Sequence, residues 1–291
     1  MRHIPVLHNE VIESLQLTPG KNVVDCTLGD GGHAEAILQQ TQPDGKLLGI
    51  DNDPEAILRA KQYLYEFDSR VIFARDNFQN LNKIVSEKKF TPVGGVLLDL
   101  GWSSQQFEGR GRGFSFSKAE EPLDMRYDIK QGITAADIIN YRNKEELIKI
   151  FKRYGEEKLS KKIASAILEK RAVKEFTKVG ELVDIILQVY GSRGNLSKIH
   201  PATRVFQALR IAVNDELEVL QKVLPQAVEI LEPGGRLVVI SFHSLEDRIV
   251  KHFFKKIKNI EIIAKKPITA SEEELKDNPR ARSAKLRVIQ K

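Results

Sequence analysis

The sequence predicts an α/β protein, a doubly wound and mostly parallel sheet with a small helical domain inserted into it. Three features predict this. Short apolar strands alternate with helical segments at both ends of the chain, a glycine-rich turn follows the first strand, and a helical stretch too long for a crossover interrupts the alternation after the fourth.

The strands can be taken in order. Residues 22–26 hold Val23 and Val24 and read as a short buried strand, followed by a helix starting near Ala34. Residues 46–50 form a second apolar strand. Residues 71–77 and 93–100 are the third and fourth, with a helix near 81–86 between them. After the insert, residues 214–231 carry apolar side chains at helical spacing, Gly234 and Gly235 punctuate, and 236–242 is a strongly apolar fifth strand. Residues 259–264 and 284–290 supply two closing strands, the last antiparallel. Such alternation implies a parallel sheet covered on both faces.

The insert is helical. Thr134, Asn143 and Thr177 read as helix caps, with Glu146 completing a capping box on Asn143. Leu159, Ile163 and Ile167, then Leu182, Ile185, Ile186 and Val189, form apolar stripes that would pack together. Glycine-rich loops set the boundaries, giving one domain of residues 1–106 with 199–291 and an inserted domain of 107–198.

Composition narrows the function classes. Cys26 is the one cysteine in 291 residues, so no disulfide forms within the chain and a reducing, cytoplasmic setting is expected. The six histidines lack metal-ligand spacing, and no metal is expected. Residues 1–10 lack a long apolar stretch and no run approaches the ~20 residues that span a bilayer, so no membrane partner is expected. The net charge of +6 is uneven. Residues 141–178 hold 12 Lys and Arg against 6 acids, and residues 245–291 hold 13 against 7, leaving the remainder at −6. Two basic blocks on an acidic frame suit a polyanion such as RNA, although solvated helix faces give the same count.

Residues 25–33, Asp-Cys-Thr-Leu-Gly-Asp-Gly-Gly-His, carry the most chemistry. Gly29, Gly31 and Gly32 fall at a strand-to-helix turn, where side chains would block a flat cofactor and resist positive φ. Gly29, Gly31 and Ala34 satisfy the G-x-G-x-x-G/A dinucleotide pattern, which points to NAD. Asp25 argues against it, because a carboxylate there repels a pyrophosphate and attracts a cationic sulfonium with an ammonium tail, as in S-adenosylmethionine. A tight turn without any ligand is the plainer alternative. At the end of the second strand, Asp51 is placed to accept from ribose hydroxyls, each such bond contributing roughly 1.5–3 kcal/mol where water is excluded. Asp53 precedes Pro54 and reads as a helix cap. Residues 99–104, Asp-Leu-Gly-Trp-Ser-Ser, follow the fourth strand, where doubly wound sheets gather their chemistry. Arg110, Arg112, Phe114 and Phe116 interleave charge and rings, either to hold phosphates and stack a base or as a hinge with buried aromatics.

Taken together these motifs resemble the ribosomal RNA small subunit methyltransferase H family over nearly the whole chain. The resemblance rests on His3-x-Pro5-Val6-Leu7-x-x-Glu10, Asp25-x-Thr27-x-Gly29-x-Gly31-Gly32-His33 and Asp99-Leu100-Gly101-x-Ser103-Ser104-x-Gln106. It continues through residues 112–116, Leu123-Asp124-Met125-Arg126, His200-Pro201-Ala202-Thr203-Arg204, residues 240–248 and residues 278–283. It implies a class I methyltransferase sheet and S-adenosylmethionine-dependent N4-methylation of a cytidine in the decoding region of 16S rRNA, within the small ribosomal subunit. It also implies that Gly31, Gly32 and His33 meet the methionine end of the cofactor, Asp51 the ribose, Phe78 the adenine region, and Asp99 and Gln106 the remaining side. His33 as a plain helix-start residue and Phe78 as core are the alternatives. Trp102 departs from the family's small aliphatic residue and is expected to alter the shape of the mouth, not the reaction.

The implied acceptor is a poor nucleophile, since its lone pair is delocalised into the cytosine ring. Holding it ~3–3.5 Å from the methyl supplies ~7–11 kcal/mol through orientation. Related amino methyltransferases present acceptors on an Asp/Ser/Asn-Pro-Pro-aromatic turn, whereas this chain has Asp99-Leu100-Gly101-Trp102. No catalytic base is assigned. Backbone carbonyls near Leu100, Ser103 and His243 are candidates, and Ser241 and His243 also fit as buried hydrogen-bonding residues. An NAD-dependent oxidoreductase, a non-catalytic RNA-binding factor, and a methylase acting on a protein or small metabolite are the competing functions.

Overall fold

Seven strands in the order β3-β2-β1-β4-β5-β7-β6 form one sheet in the computed structural model, which describes residues 5–101, 111–129, 132–191 and 199–291. The parallel strands are β1 (Val23–Asp25), β2 (Leu47–Asp51), β3 (Val71–Arg75), β4 (Val93–Asp99) and β5 (Leu231–Ser241). β7 (Lys285–Gln290) lies antiparallel between β5 and β6 (Glu261–Ile262). This is the Rossmann-like arrangement of class I methyltransferases, with the order reversing at β1 and β4.

Burial on both faces explains why the central strands are almost wholly apolar. Leu48, Ile50, Val96, Leu98 and Val239 face one way, onto α4 (Leu81–Glu87), α10 (Glu216–Ile230) and α11 (Ser244–Lys256). Val23, Leu47, Leu97, Val238 and Ile240 face the other, onto α1 (His8–Leu15), α2 (Gly32–Gln40) and α3 (Pro54–Tyr63). The period of two along β4 divides Val96 and Leu98 from Leu97, as the pleat requires. β5 begins earlier than its apolar run suggests. Its pairing with β4 shifts between Val93 and Gly95, so Gly234 (φ 82°) and Gly235 lie within an irregular strand rather than before it.

The chain divides into two compact units, residues 1–103 with 217–291 and residues 104–216. The second consists of α5 (Ala135–Tyr141), α6 (Lys144–Gly155), α7 (Ser160–Arg171), α8 (Val179–Tyr190) and α9 (Ala202–Asn214). The unit therefore ends at 216 where the sequence reading placed its end at 198. The difference is α9, which packs on α6 and so joins the helical unit. Thr134 and Asn143 close reciprocal capping boxes with Asp137 and Glu146. Thr177 is not the cap it resembles. α8 starts one residue later, and Glu181 Oε2 accepts from the backbone N–H groups of Thr177 and Lys178.

Candidate functional site

Three neighbouring strands end in aspartate. β1 stops at Asp25, which lies level with Gly49 of β2 and Leu97 of β4, so its neighbours run two residues further, to Asp51 and Asp99. The short middle strand leaves a notch between two longer ones. Because residues two apart share a face, the register also puts Asp25, Asp51 and Asp99 on one side of the sheet, the side that carries α2.

The glycine turn is stitched across this notch. Gly29 N–H donates to Asp51 Oδ2 at 2.9 Å, and Thr27 Oγ1 accepts from Asp99 N–H at 2.8 Å. Asp25 Oδ1 accepts from Thr27 N–H at 3.0 Å. Asp51 Oδ1 accepts from Asp53 N–H at 2.8 Å, while Asp53 itself caps α3 by accepting from Glu55 N–H. Asp51, not Asp53, is thus the residue at the strand end. Each Asp51 oxygen takes one N–H and retains a lone pair.

Two of the glycines are explained by the protein itself. Gly31 has φ 88°, a conformation that side chains resist. A Cβ on Gly32 would lie 2.6 Å from Pro5 Cγ, so the N-terminal segment fills the space that a side chain would need. That contact spans 27 positions of sequence and left no local signal. Leu7, beside it, adopts φ 52° and donates its N–H to Glu274 Oε1 at 2.7 Å.

His33 opens α2 with 7% of its surface exposed. Its Nε2 lies 3.5 Å from Asp99 Oδ2, and His8 stacks on its ring at a centroid distance of 5.9 Å. Neither ring nitrogen of His33, nor Asp99 Oδ1, has a hydrogen-bond partner among the described residues. Buried polar atoms normally find partners, so these atoms fit a polar ligand at this position. Burial pushes both Asp25 and Asp51 up to about 6, with the neighbouring carboxylates adding to the shift at Asp25. A cation with hydroxyl groups fits this pocket, and a pyrophosphate does not.

The structure thus gathers Gly31, Gly32, His33, Asp51 and Asp99 at one strand-end mouth. Phe78 follows the next strand, half-buried in a 3₁₀ turn after β3 and packed against the core cluster. Gln106, Trp102, Ser103, Ser104 and Arg110 lie outside the described residues. Arg112 is committed to the carbonyls of Arg126 and Tyr127, and Phe114 is buried against the ring of Tyr127. These two are scaffold rather than a free recognition loop. His243 accepts from Glu246 N–H as the cap of α11, and Ser241 donates to the carbonyl of Lys285, so both serve the fold as hydrogen-bonding residues.

The model of the MraW methylase family matches residues 1–291. The chain belongs to this family. Its methyl donor is S-adenosylmethionine, and the dinucleotide reading of the glycine turn falls away. The chain is 49% identical over 98% of its length to the ribosomal RNA small subunit methyltransferase H of Dictyoglomus thermophilum, covering 95% of that protein. It is 46% identical to the protein of the same name from Heliobacterium mobile, with 99% and 98% covered. The solved structure of PH0851 aligns with all of this chain and 47% of its own at a TM-score of 0.51 and 13% identity, a likeness of fold alone.

Proposed function

We propose that this methylase transfers a methyl group from S-adenosylmethionine to N4 of a cytidine in the decoding region of 16S rRNA, acting on the small ribosomal subunit in the cytoplasm. The names of the relatives support the rRNA substrate. The observation that carries the cofactor geometry is the trio of carboxylates on one face of the sheet around a glycine turn. Bound there, S-adenosylmethionine supplies a methyl group on a positively charged sulfur.

The chain's own residues then have distinct tasks. Gly31, Gly32 and His33 receive the methionine end, His33 through the ring nitrogens left over by the fold. Asp51 offers its remaining lone pairs to the ribose hydroxyls. Asp25 lies behind the turn as a fixed negative charge, Asp99 lines the side next to His33, and Phe78 and Gln106 complete the adenine and outer sides. The inserted unit, residues 104–216, recognises RNA. No helix among the described residues is long and apolar enough to cross a membrane.

Transfer of labelled methyl from the cofactor to purified 30S particles and to naked 16S RNA, followed by nucleoside analysis, tests this reading. The expected product is N4-methylcytidine. Label on another nucleoside, or on protein, would overturn it.

A further inference from the structure

The inserted unit carries a cleft with a volume of about 300 Å³, and nothing above gives it a role. One stripe of α6 forms its wall. Glu146, Lys149, Ile150, Arg153 and Tyr154 recur at three- and four-residue steps, and Arg142 at the end of α5 adds a further cation. Ile133, Ile138 and Ala212 close the apolar side.

We infer that this cleft binds a nucleotide segment of single-stranded RNA, its cations on the phosphates and its Tyr154 and isoleucine wall against a base. The inference rests on the proposed RNA substrate and locates where that RNA is gripped. Four observations carry it. Arg142 is paired with Glu146 at 3.2 Å, but Lys149 and Arg153 are exposed and have no carboxylate partner among the described residues. They lie one turn apart, about 6 Å along the axis, so they present two like charges in a row. Arg153 also sits 5.4 Å over the ring of Tyr154, which fixes a cation beside an aromatic face. Ile133 is 42% exposed at the same cleft, an apolar surface next to positive charge. Charge beside an apolar and aromatic wall suits a nucleotide, whose phosphate and base make the same division. An acidic peptide would satisfy only the cations.

The test uses the full chain without cofactor and a fluorescein-labelled single-stranded oligoribonucleotide of mixed sequence, read by anisotropy over a salt series. Each phosphate contact contributes a slope of about 0.7 in log affinity against log salt, so Lys149→Ala with Arg153→Ala should reduce the slope by about 1.4 and weaken binding about 25-fold near 0.1 M salt. Tyr154→Ala should weaken binding about five-fold or more, and Tyr154→Phe should restore it. The control Lys88→Ala with Lys222→Ala, two exposed cations outside both basic blocks, removes equal charge and should cost far less. Equal losses in the two double variants, or displacement of the RNA by an acidic peptide of equal charge, would overturn the inference. The melting shift given by S-adenosylmethionine should persist in every cleft variant. Its loss in wild type would instead strike at the cofactor reading.

Discussion

Replacing Asp25 by asparagine should make the free protein more stable at high pH and a poorer binder of its cofactor. Asp25 is 2% exposed, and burial raises its pKa from 3.8 to about 6. A carboxyl group that holds its proton more tightly when folded costs nothing below its unfolded value of 3.8, destabilises the fold progressively as pH rises to the folded value of about 6, and costs a constant amount above it. At pH 8 the shift of roughly two units corresponds to about 3 kcal/mol of destabilisation, and at pH 4.5 to about 1 kcal/mol. The amide removes this cost, and its oxygen can keep the bond from Thr27 N–H. A gain of about 3 kcal/mol would raise Tm by about 6–12 °C in a unit of this size. Thermal melts of Asp25→Asn and wild type at pH 8 and pH 4.5, with and without S-adenosylmethionine, measure both effects. The free variant should melt higher at pH 8, with a smaller difference at pH 4.5, and its cofactor-induced shift should shrink. A variant that melts lower at pH 8, or a difference independent of pH, would refute the idea of a buried charge at the end of β1.

Asp51→Ala should abolish the melting shift given by S-adenosylmethionine, since it removes both the proposed ribose acceptor and the oxygen that holds Gly29 N–H. Cofactor affinity should rise with pH through about 6 and fall by up to about ten-fold per unit below it for each of Asp25 and Asp51, because a cation favours their ionised forms; calorimetry from pH 5 to 8 measures this. Gly32→Ala should lower Tm by forcing Pro5 away, and Pro5→Ala in the same chain should recover part of the loss, as thermal melts would show. Thr134→Ala should cost about 1 kcal/mol in denaturant unfolding by opening the capping box of α5.

Much of the sheet was legible because its strands are buried on both faces and so read as short apolar runs. Their aspartate ends were legible too, one at a time. What no single run reveals is that Asp25, Asp51 and Asp99 share a face, since that depends on the register between strands and on β1 being shorter than its neighbours. The end of the inserted unit was misplaced for a similar reason. α9 has the apolar stripe of any amphipathic helix, and periodicity does not say which partner it meets. Gly234 and Gly235 read as a break because glycine marks turns more often than irregular strands. Pro5 against Gly32, and His8 against His33, are contacts between distant segments, and they cast no local pattern at all.

The two roles of the glycine turn are therefore linked. Ending β1 two residues early opens the notch, and the chain crossing that notch must satisfy its backbone on the longer strands, which it does at Leu97, Ile50 and Asp51, while the Thr27 hydroxyl accepts from Asp99 N–H. Those hydrogen bonds hold the turn close to the carboxylates, where a side chain at Gly32 would collide with Pro5. The same closeness gathers negative charge where little water reaches it, raising Asp25 and Asp51. The fold thus carries an electrostatic cost that a cation bound there would relieve, and the attraction we propose for a sulfonium donor follows from how the first strand ends.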